Sequence, residues 1–140
     1  MESQRAQKRF PRQFSALNSL FDFIAAFHSQ YDGTDRDARE VELIVEELFT
    51  NFVRHNDGDR EIAVELEHVD GSIRICIQDE NVEEFDLTRV PEPDPAILLE
   101  DRRAGGMGIL LVRRLAERVT YDYRDRTSTV TVVKRLRGHD

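Results

Sequence analysis

The 140-residue sequence lacks the features that mark several classes of protein. A single cysteine, Cys76, allows no intramolecular disulfide and no metal cluster built on cysteine. No apolar run approaches the length of about 18 residues that a membrane-spanning helix needs. The first residues also lack the apolar segment of a signal peptide. We therefore expect a cytoplasmic protein, and the length is typical of one domain.

Positive charge is scarce compared with negative charge. The chain has 20 Lys and Arg residues against 28 Asp and Glu residues, which gives a net charge of −8. Because an acidic chain is repelled by the phosphates of nucleic acid, we expect no nucleic-acid partner. A protein partner with a basic surface fits this charge better, and the 39% hydrophobic content predicts a folded chain.

Two common glycine-rich nucleotide motifs are absent as well, the P-loop and the dinucleotide-binding fingerprint. The chain instead has Gly105-Gly106-Met107-Gly108, between a charged stretch and an apolar helical stretch. A glycine turn that opens a helix presents free N–H groups, and the helix dipole favours an anion in front of them. A lid hinge or a simple helix cap is the alternative for this motif.

Hydrophobic periodicity predicts the order β-α-α-β-β-lid-α-β-β. The predicted elements are an edge strand at residues 8–11, a helix of about 15 residues from residue 14, and helices over about 36–54 and 108–118. A hairpin is predicted to turn at Asp70-Gly71, and two final strands, over 119–123 and 128–135, are predicted to turn at Asp125-Arg126. This order favours an α+β fold, a two-layer sandwich with three helices on one face of an antiparallel or mixed sheet. We expect a single domain over residues 1–140, with a proline-rich, acidic lid at about 80–105.

Polar side chains recur along one edge of the second predicted helix, at Glu47, Asn51 and His55. At about 100° per residue these positions border the apolar stripe, so we expect them half-sheltered from solvent. A plain solvent border, or pairing of Glu47 with Arg54, would also explain the pattern. The functional hypothesis is a carboxylate that takes a proton beside an amide oxygen that binds magnesium.

Taken in order, these segments resemble one family. The stretch EELFTNFVRHN (46–56) resembles the N box of the Bergerat-fold (GHKL) ATPases, and Asp79 resembles the aspartate of their G1 box. The stretch AGGMGILLVRRLAERVTYDY (104–123) is similar to their G2 box and the helix and strand after it. Within the superfamily, the chain most resembles the stand-alone anti-sigma-factor serine kinases, which implies the Bergerat ATP-binding fold.

The resemblance implies a role for each matching residue. Glu47 matches the general base that deprotonates a serine hydroxyl of a partner protein, and Asn51 matches the Mg²⁺ ligand that bridges the phosphates of ATP. Asp79 matches the carboxylate that accepts a hydrogen bond from the adenine amino group. Gly106–Gly108, including Met107, match the turn whose backbone holds the phosphates. Ser128 falls where the family has a threonine hydroxyl near adenine.

One position departs from the family, because Asn81 replaces the glycine of the D-x-G motif. Asparagine tolerates left-handed backbone angles, so the turn can persist. The resemblance implies an ATP-dependent serine/threonine kinase that phosphorylates an anti-sigma-factor antagonist and sequesters a sigma factor. Alternatives are a partner-switching binding module with weak or no ATP binding, and a scaffold without a nucleotide role. The family also tends to form homodimers.

Overall fold

The computed structural model describes residues 4–31, 33–55, 58–84 and 106–137. Its elements are β1 (Gln4–Phe10), a 3-10 turn (Phe14–Ala16), α1 (Leu17–His28), α2 (Asp35–His55), β2 (Ile62–Val69), β3 (Ser72–Glu80), α3 (Gly106–Leu115), β4 (Arg118–Arg124) and β5 (Thr127–Arg135). This is the predicted element order. Most of the predicted lid lies outside the described residues, and its first residues, 80–84, lie within them.

The strands of the described segments form one sheet in the order β1-β2-β3-β5-β4. Every neighbouring pair is antiparallel, so the sheet is antiparallel rather than mixed. β1 lies at the edge, as predicted. It is longer than predicted because it pairs with β2 from Gln4, opposite His68, to Phe10, opposite Ile62.

Both tight turns of the sheet lie where the sequence predicts them. Asp70 and Gly71 join β2 to β3 with φ values of 51° and 76°, and Asp125 and Arg126 join β4 to β5 with 52° and 57°. Two successive positive φ values are typical of the turns that match the right-handed twist of a hairpin. The local chemistry of these turns therefore sets the register of the two hairpins.

The core lies between the sheet and the helices. The inward positions of β2, β3 and β5 carry fully buried aliphatic side chains, namely Ile62, Val64, Leu66, Ile73, Ile75, Ile77, Val130 and Val132. The helices bury Leu20, Ile24, Phe27, Val45, Leu48, Phe52, Ile109 and Val112 against them. Each such side chain contributes about 1.5–3 kcal/mol on burial. The predicted α+β two-layer sandwich is confirmed.

Buried charges fix the N-terminal end of α2 to the C-terminal end of β5. Lys134 Nζ lies 3.0 Å from Glu40 Oε2 and 3.7 Å from Asp37 Oδ1, and the backbone N–H of Arg137 also donates to Asp37. Burial acts to raise the pKa of Glu40, but hydrogen bonding and charge from Lys134, Arg36 and Arg137 bring that pKa below its usual value.

α2 has a helix on each side. α1 contacts both β1 and α2, whereas α3 contacts α2 and leads directly into β4. The N-terminus of α2 is capped by Thr34, whose Oγ1 accepts the backbone N–H of Asp37 at 3.0 Å. Across the described residues, none of the helices has both the length and the apolar character needed to cross a membrane.

Candidate functional site

The C-terminal half of α2 holds the polar residues that the sequence singled out. Asn51 is 4% exposed, and its Nδ2 donates to the backbone carbonyl of Glu47 at 2.9 Å. Thr50 Oγ1 donates to the same carbonyl at 3.3 Å. The Asn51 nitrogen therefore faces the backbone of its own helix, and the amide oxygen is the atom suited to meet a cation. Asn51 is more buried than the half-sheltered position expected for it.

Glu47 is half-buried, as expected. Burial raises the pKa of its carboxyl and the charge of Glu46 raises it further, while Arg54 acts in the opposite direction. A carboxylate with a raised pKa is a stronger base. His55, one turn beyond Asn51, is exposed, so the half-sheltered position expected for it is wrong. Desolvation together with the charge of Arg54 lowers the pKa of its imidazole.

Asp79 and Ser128 are direct cross-strand partners in the ladder between β3 and β5. Both side chains are fully buried on the face of the sheet that the helices cover. Ser128 Oγ lies 3.2 Å from the hydroxyl of Tyr121 on β4. Two residues that are far apart in sequence, and that the resemblance assigns to the base end of a nucleotide site, are therefore neighbours.

Arg12 is the partner of Asp79 that sequence analysis missed. Its guanidinium forms an ion pair with Asp79 Oδ1 and donates to the backbone carbonyl of Phe52 at 3.2 Å. Arg12 thus ties the end of β3 to the last turn of α2, next to Asn51. Nothing in the local pattern around Arg12 indicates this contact, because the two charged residues are separated by 67 positions.

Asn81 adopts the left-handed conformation, with a φ of 58°, at the position where the family has glycine. Its exposed side chain accepts a hydrogen bond from Arg126 Nε at 3.2 Å, on the turn between β4 and β5. The following residue, Val82, is fully buried, and its carbonyl accepts the hydroxyl of Tyr123 at 2.7 Å. The turn that the D-x-G motif requires is preserved, and its added side chain is bonded to Arg126.

α3 begins at Gly106, two residues earlier than predicted, so Gly106–Gly108 form its first turn. The N–H groups of a first helical turn have no partner within the helix. The helix ends at Leu115 rather than near Arg118, because the N–H of Glu117 donates to Val133 of β5 at 2.8 Å. The backbone of Met107 is described, whereas its side chain lies outside the described part of the chain.

The structure places the predicted residues in three groups. Glu47 and Asn51 share one turn of α2, Asp79 and Ser128 share one rung of the sheet, and Arg12 joins the two groups. The helix that opens with the glycine turn packs beside α2 through Ile109 and Val112. In the described part of the chain, no three His, Cys, Asp or Glu side chains are grouped to hold a metal ion.

Comparison with known proteins identifies a family profile that covers most of the chain. The profile of the histidine kinase-like ATPase domain matches residues 10–134. The anti-sigma F factor of Bacillus cytotoxicus is 32% identical over 116 residues, which are 76% of this chain and 77% of that protein. The anti-sigma F factor of Geobacillus stearothermophilus is 26% identical over 130 residues, 88% of each chain.

Solved structures show the same fold at lower identity. A crystal structure of RsbU and RsbW domains from Mycobacterium tuberculosis matches 95% of this chain and 32% of its own, with a TM-score of 0.69 and 13% identity. The SiaB–SiaC complex from Pseudomonas aeruginosa matches 91% of this chain and 88% of its own, with a TM-score of 0.65 and 15% identity.

Proposed function

Because this chain belongs to the family of histidine kinase-like ATPase domains, with anti-sigma F factors among its relatives, we propose that it is an ATP-binding anti-sigma factor and serine kinase. It would transfer the γ-phosphate of ATP to a Ser or Thr of an anti-sigma-factor antagonist, and it would sequester a sigma factor. We propose a cytoplasmic protein with one domain, a lid at about residues 80–105, and homodimers as its assembly.

One observation carries the nucleotide proposal, the fully buried carboxylate of Asp79 opposite the fully buried hydroxyl of Ser128. An ionised carboxylate can accept several hydrogen bonds at once, so Asp79 can accept one from a ligand in addition to its pairing with Arg12. The adenine amino group is a donor of the kind this carboxylate accepts. Asp79 and Ser128 would hold the base, while the free N–H groups of Gly106–Gly108 would bind the phosphates.

The carboxamide of Asn51 fits a magnesium site of the kind that uses few protein ligands. Magnesium prefers one or two protein oxygens together with phosphate oxygens and water. The bond from Asn51 Nδ2 to the Glu47 carbonyl orients the amide, so that its oxygen would be the ligand. When bound, the ion would neutralise charge on the phosphates.

Glu47 would act as the general base. It lies one helical turn before Asn51, and burial raises its pKa, so its carboxylate can accept the proton of an incoming serine hydroxyl. Phosphoryl transfer depends mainly on positioning and charge neutralisation, and one base beside one metal ligand is a sufficient set of side chains.

The alternative, a partner-switching module without ATP binding, depended on Asn81. Two features weigh against it. Asn81 keeps the left-handed backbone that glycine would supply, and its side chain is hydrogen-bonded to Arg126 on the β4–β5 turn. The departure from the family motif therefore gives no steric reason for the loss of nucleotide binding.

Titration calorimetry with Mg-ATP tests the proposal directly. We expect saturable one-to-one binding by the wild-type chain and weaker binding by Asp79→Asn. The matched control is Asp122→Asn, which alters an exposed carboxylate on β4 and should bind like wild type. Equal ATP affinity in the wild type and Asp79→Asn would contradict the base assignment, and absence of binding by the wild type would contradict the proposed activity.

A further inference from the structure

One corner of the molecule contains a cavity that the proposed nucleotide site does not use. Residues 115–118, which lead from the end of α3 into β4, and residues 133–137, which end β5 and follow it, form this surface, and we call it the β5 corner. It lies at the end of α3 away from the glycine turn. Its cavity has a volume of about 620 Å³ and is lined by residues 115–117 and 134–137. A cavity of that size can receive side chains of a ligand.

The walls of this cavity are partly apolar. Leu115, Ala116 and Leu136 pack against the core but remain partly exposed. The ammonium of Lys134 is directed into the protein, because it lies 3.0 Å from Glu40 Oε2 and donates to the following backbone carbonyl at 2.7 Å. Apolar surface that is left open beside polar groups is typical of a site for another protein.

Two exposed arginines of the β5 corner, Arg118 and Arg135, have no ion-pair partner among the described residues. Arg118 lies opposite Val133 in the ladder between β4 and β5, and Arg135 is two residues further along β5. Both side chains therefore lie on the face of the sheet that the helices leave uncovered. Elsewhere on that face exposed arginines are paired, namely Arg5 with Glu65, Arg74 with Glu67 and Arg124 with Asp122.

Positive charge exceeds negative charge at the β5 corner. Ion pairs with acids of α2 balance Lys134 and Arg137, which leaves Arg118 and Arg135 against one exposed acid, Glu117. The last turn of α3 adds two more exposed arginines, at positions 113 and 114. This is a local reversal in a chain whose net charge is −8. Since charges across an interface are complementary, an acidic partner fits this corner.

We propose that the β5 corner is a docking site for an acidic segment of a protein partner. An extended segment that lies along this edge of the sheet presents successive side chains to opposite faces. Its carboxylates pair with Arg118 and Arg135 on the uncovered face, and an apolar side chain between them enters the cavity lined by Leu115 and Leu136. The inference does not depend on the proposed nucleotide site.

Other occupants fit the β5 corner less well. A free phosphate or carboxylate ion would leave the apolar walls of the cavity unfilled. A nucleic acid or an anionic membrane carries negative charge over a wide area and would be repelled by the rest of an acidic chain. A second copy in two-fold contact would place the arginines of both corners against each other, because such a contact uses the same patch on both subunits. A different protein with a short acidic segment meets none of these objections.

NMR titration of the isotope-labelled full chain tests the inference, with a seven-residue peptide that alternates Glu and Leu as the probe. We expect the amide resonances of residues 115–118 and 133–137 to shift, and the affinity to fall as salt is raised. A peptide that alternates Lys and Leu reverses the charge and should not bind. A peptide that alternates Glu and Thr keeps the charge without the apolar side chains and should bind more weakly.

Replacing both arginines measures the contribution of charge. The double variant Arg118→Gln/Arg135→Gln should bind the Glu-Leu peptide about tenfold more weakly, since one exposed ion pair changes an affinity by about two- to fivefold. The matched control is Arg124→Gln, which removes an exposed arginine from the same face of β4, where it pairs with Asp122. It should bind the peptide like wild type. All three side chains are exposed, so we expect these variants to fold.

Leu136→Ala measures the contribution of the cavity. It should weaken binding of the Glu-Leu peptide and leave binding of the Glu-Thr peptide unchanged, because only the first peptide places an apolar side chain against Leu136. Equal binding of the Glu-Leu peptide by Leu136→Ala and wild type would contradict the use of the cavity. If this variant does not fold, the comparison of the two peptides on the wild-type chain decides the same point.

Several results would overturn the inference. Absence of shifts with the Glu-Leu peptide, or equal binding of the Lys-Leu peptide, would exclude an acidic segment as the occupant. Undiminished binding by the double arginine variant would exclude the arginines as its recognition groups. The same shifts with inorganic phosphate or with anionic lipid vesicles would identify a general anion surface. A dimer of the wild type that the double variant abolishes in ultracentrifugation would identify a second copy as the occupant.

Discussion

Replacing Asn51 with alanine tests the proposed metal ligand separately from the packing of α2. The wild-type Nδ2 donates to the Glu47 carbonyl at 2.9 Å, and Thr50 Oγ1 donates to the same carbonyl at 3.3 Å. Both residues are nearly buried. Thr50→Val is therefore a matched control, because it removes a similar bond without removing the proposed ligand.

The expected magnitudes follow from these contacts. Each variant loses one hydrogen bond to the same carbonyl, so each should lower the free energy of unfolding by about 1 kcal/mol. Asn51→Ala alone also loses a contact to a charged group, worth roughly 1.5–3 kcal/mol. Its Kd for Mg-ATP should therefore rise about 10- to 100-fold, while Thr50→Val stays within about twofold of wild type.

Calorimetry with Mg-ATP, and with ATP in the presence of a chelator, checks the expectation, and urea unfolding monitors stability. The affinity gap between Asn51→Ala and wild type should shrink when magnesium is removed. A gap of the same size with and without magnesium would show that Asn51 contacts the nucleotide by another route. An unchanged Kd in Asn51→Ala would refute its role as a ligand.

Two further predictions concern Glu47 and Asn81. Glu47→Gln should slow phosphate transfer from labelled ATP to an antagonist protein by about 10²–10⁴-fold, whereas Glu46→Gln should not. Undiminished transfer by Glu47→Gln would exclude Glu47 as the base. Because burial raises the pKa of Glu47, the charged carboxylate destabilises the folded state once the pH exceeds that raised pKa. Glu47→Gln should therefore have a melting temperature no lower than that of wild type at neutral pH. Asn81→Ala should lower the free energy of unfolding by about 1–2 kcal/mol in urea, since φ is 58° there, while Asn81→Gly should cost less. Markedly tighter ATP binding by Asn81→Gly would mean that the native side chain obstructs the site, against the bond seen to Arg126.

The site was predictable from the sequence only in part. Glu47 and Asn51 belong to one helix, and the helical period alone places them on one edge of it. That Asp79 and Ser128 meet required knowledge of the strand order, since β5 inserts between β3 and β4. The resemblance implied only that each residue lies near adenine, and the strand register shows that the two are direct cross-strand partners.

The hydrophobic periodicity and the turn residues of the sequence determined the helices and strands, their order, the two hairpin turns and the one buried face of the sheet. These signals are readable because they act between residues that are close in sequence. Only the tertiary structure decided that Arg12 neutralises Asp79 and that Lys134 lies between Asp37 and Glu40. In each case the charged groups are far apart in the chain, and a local pattern carries no information about which distant charge a buried group will meet. Folding brings them together because an uncompensated charge in the interior would be costly.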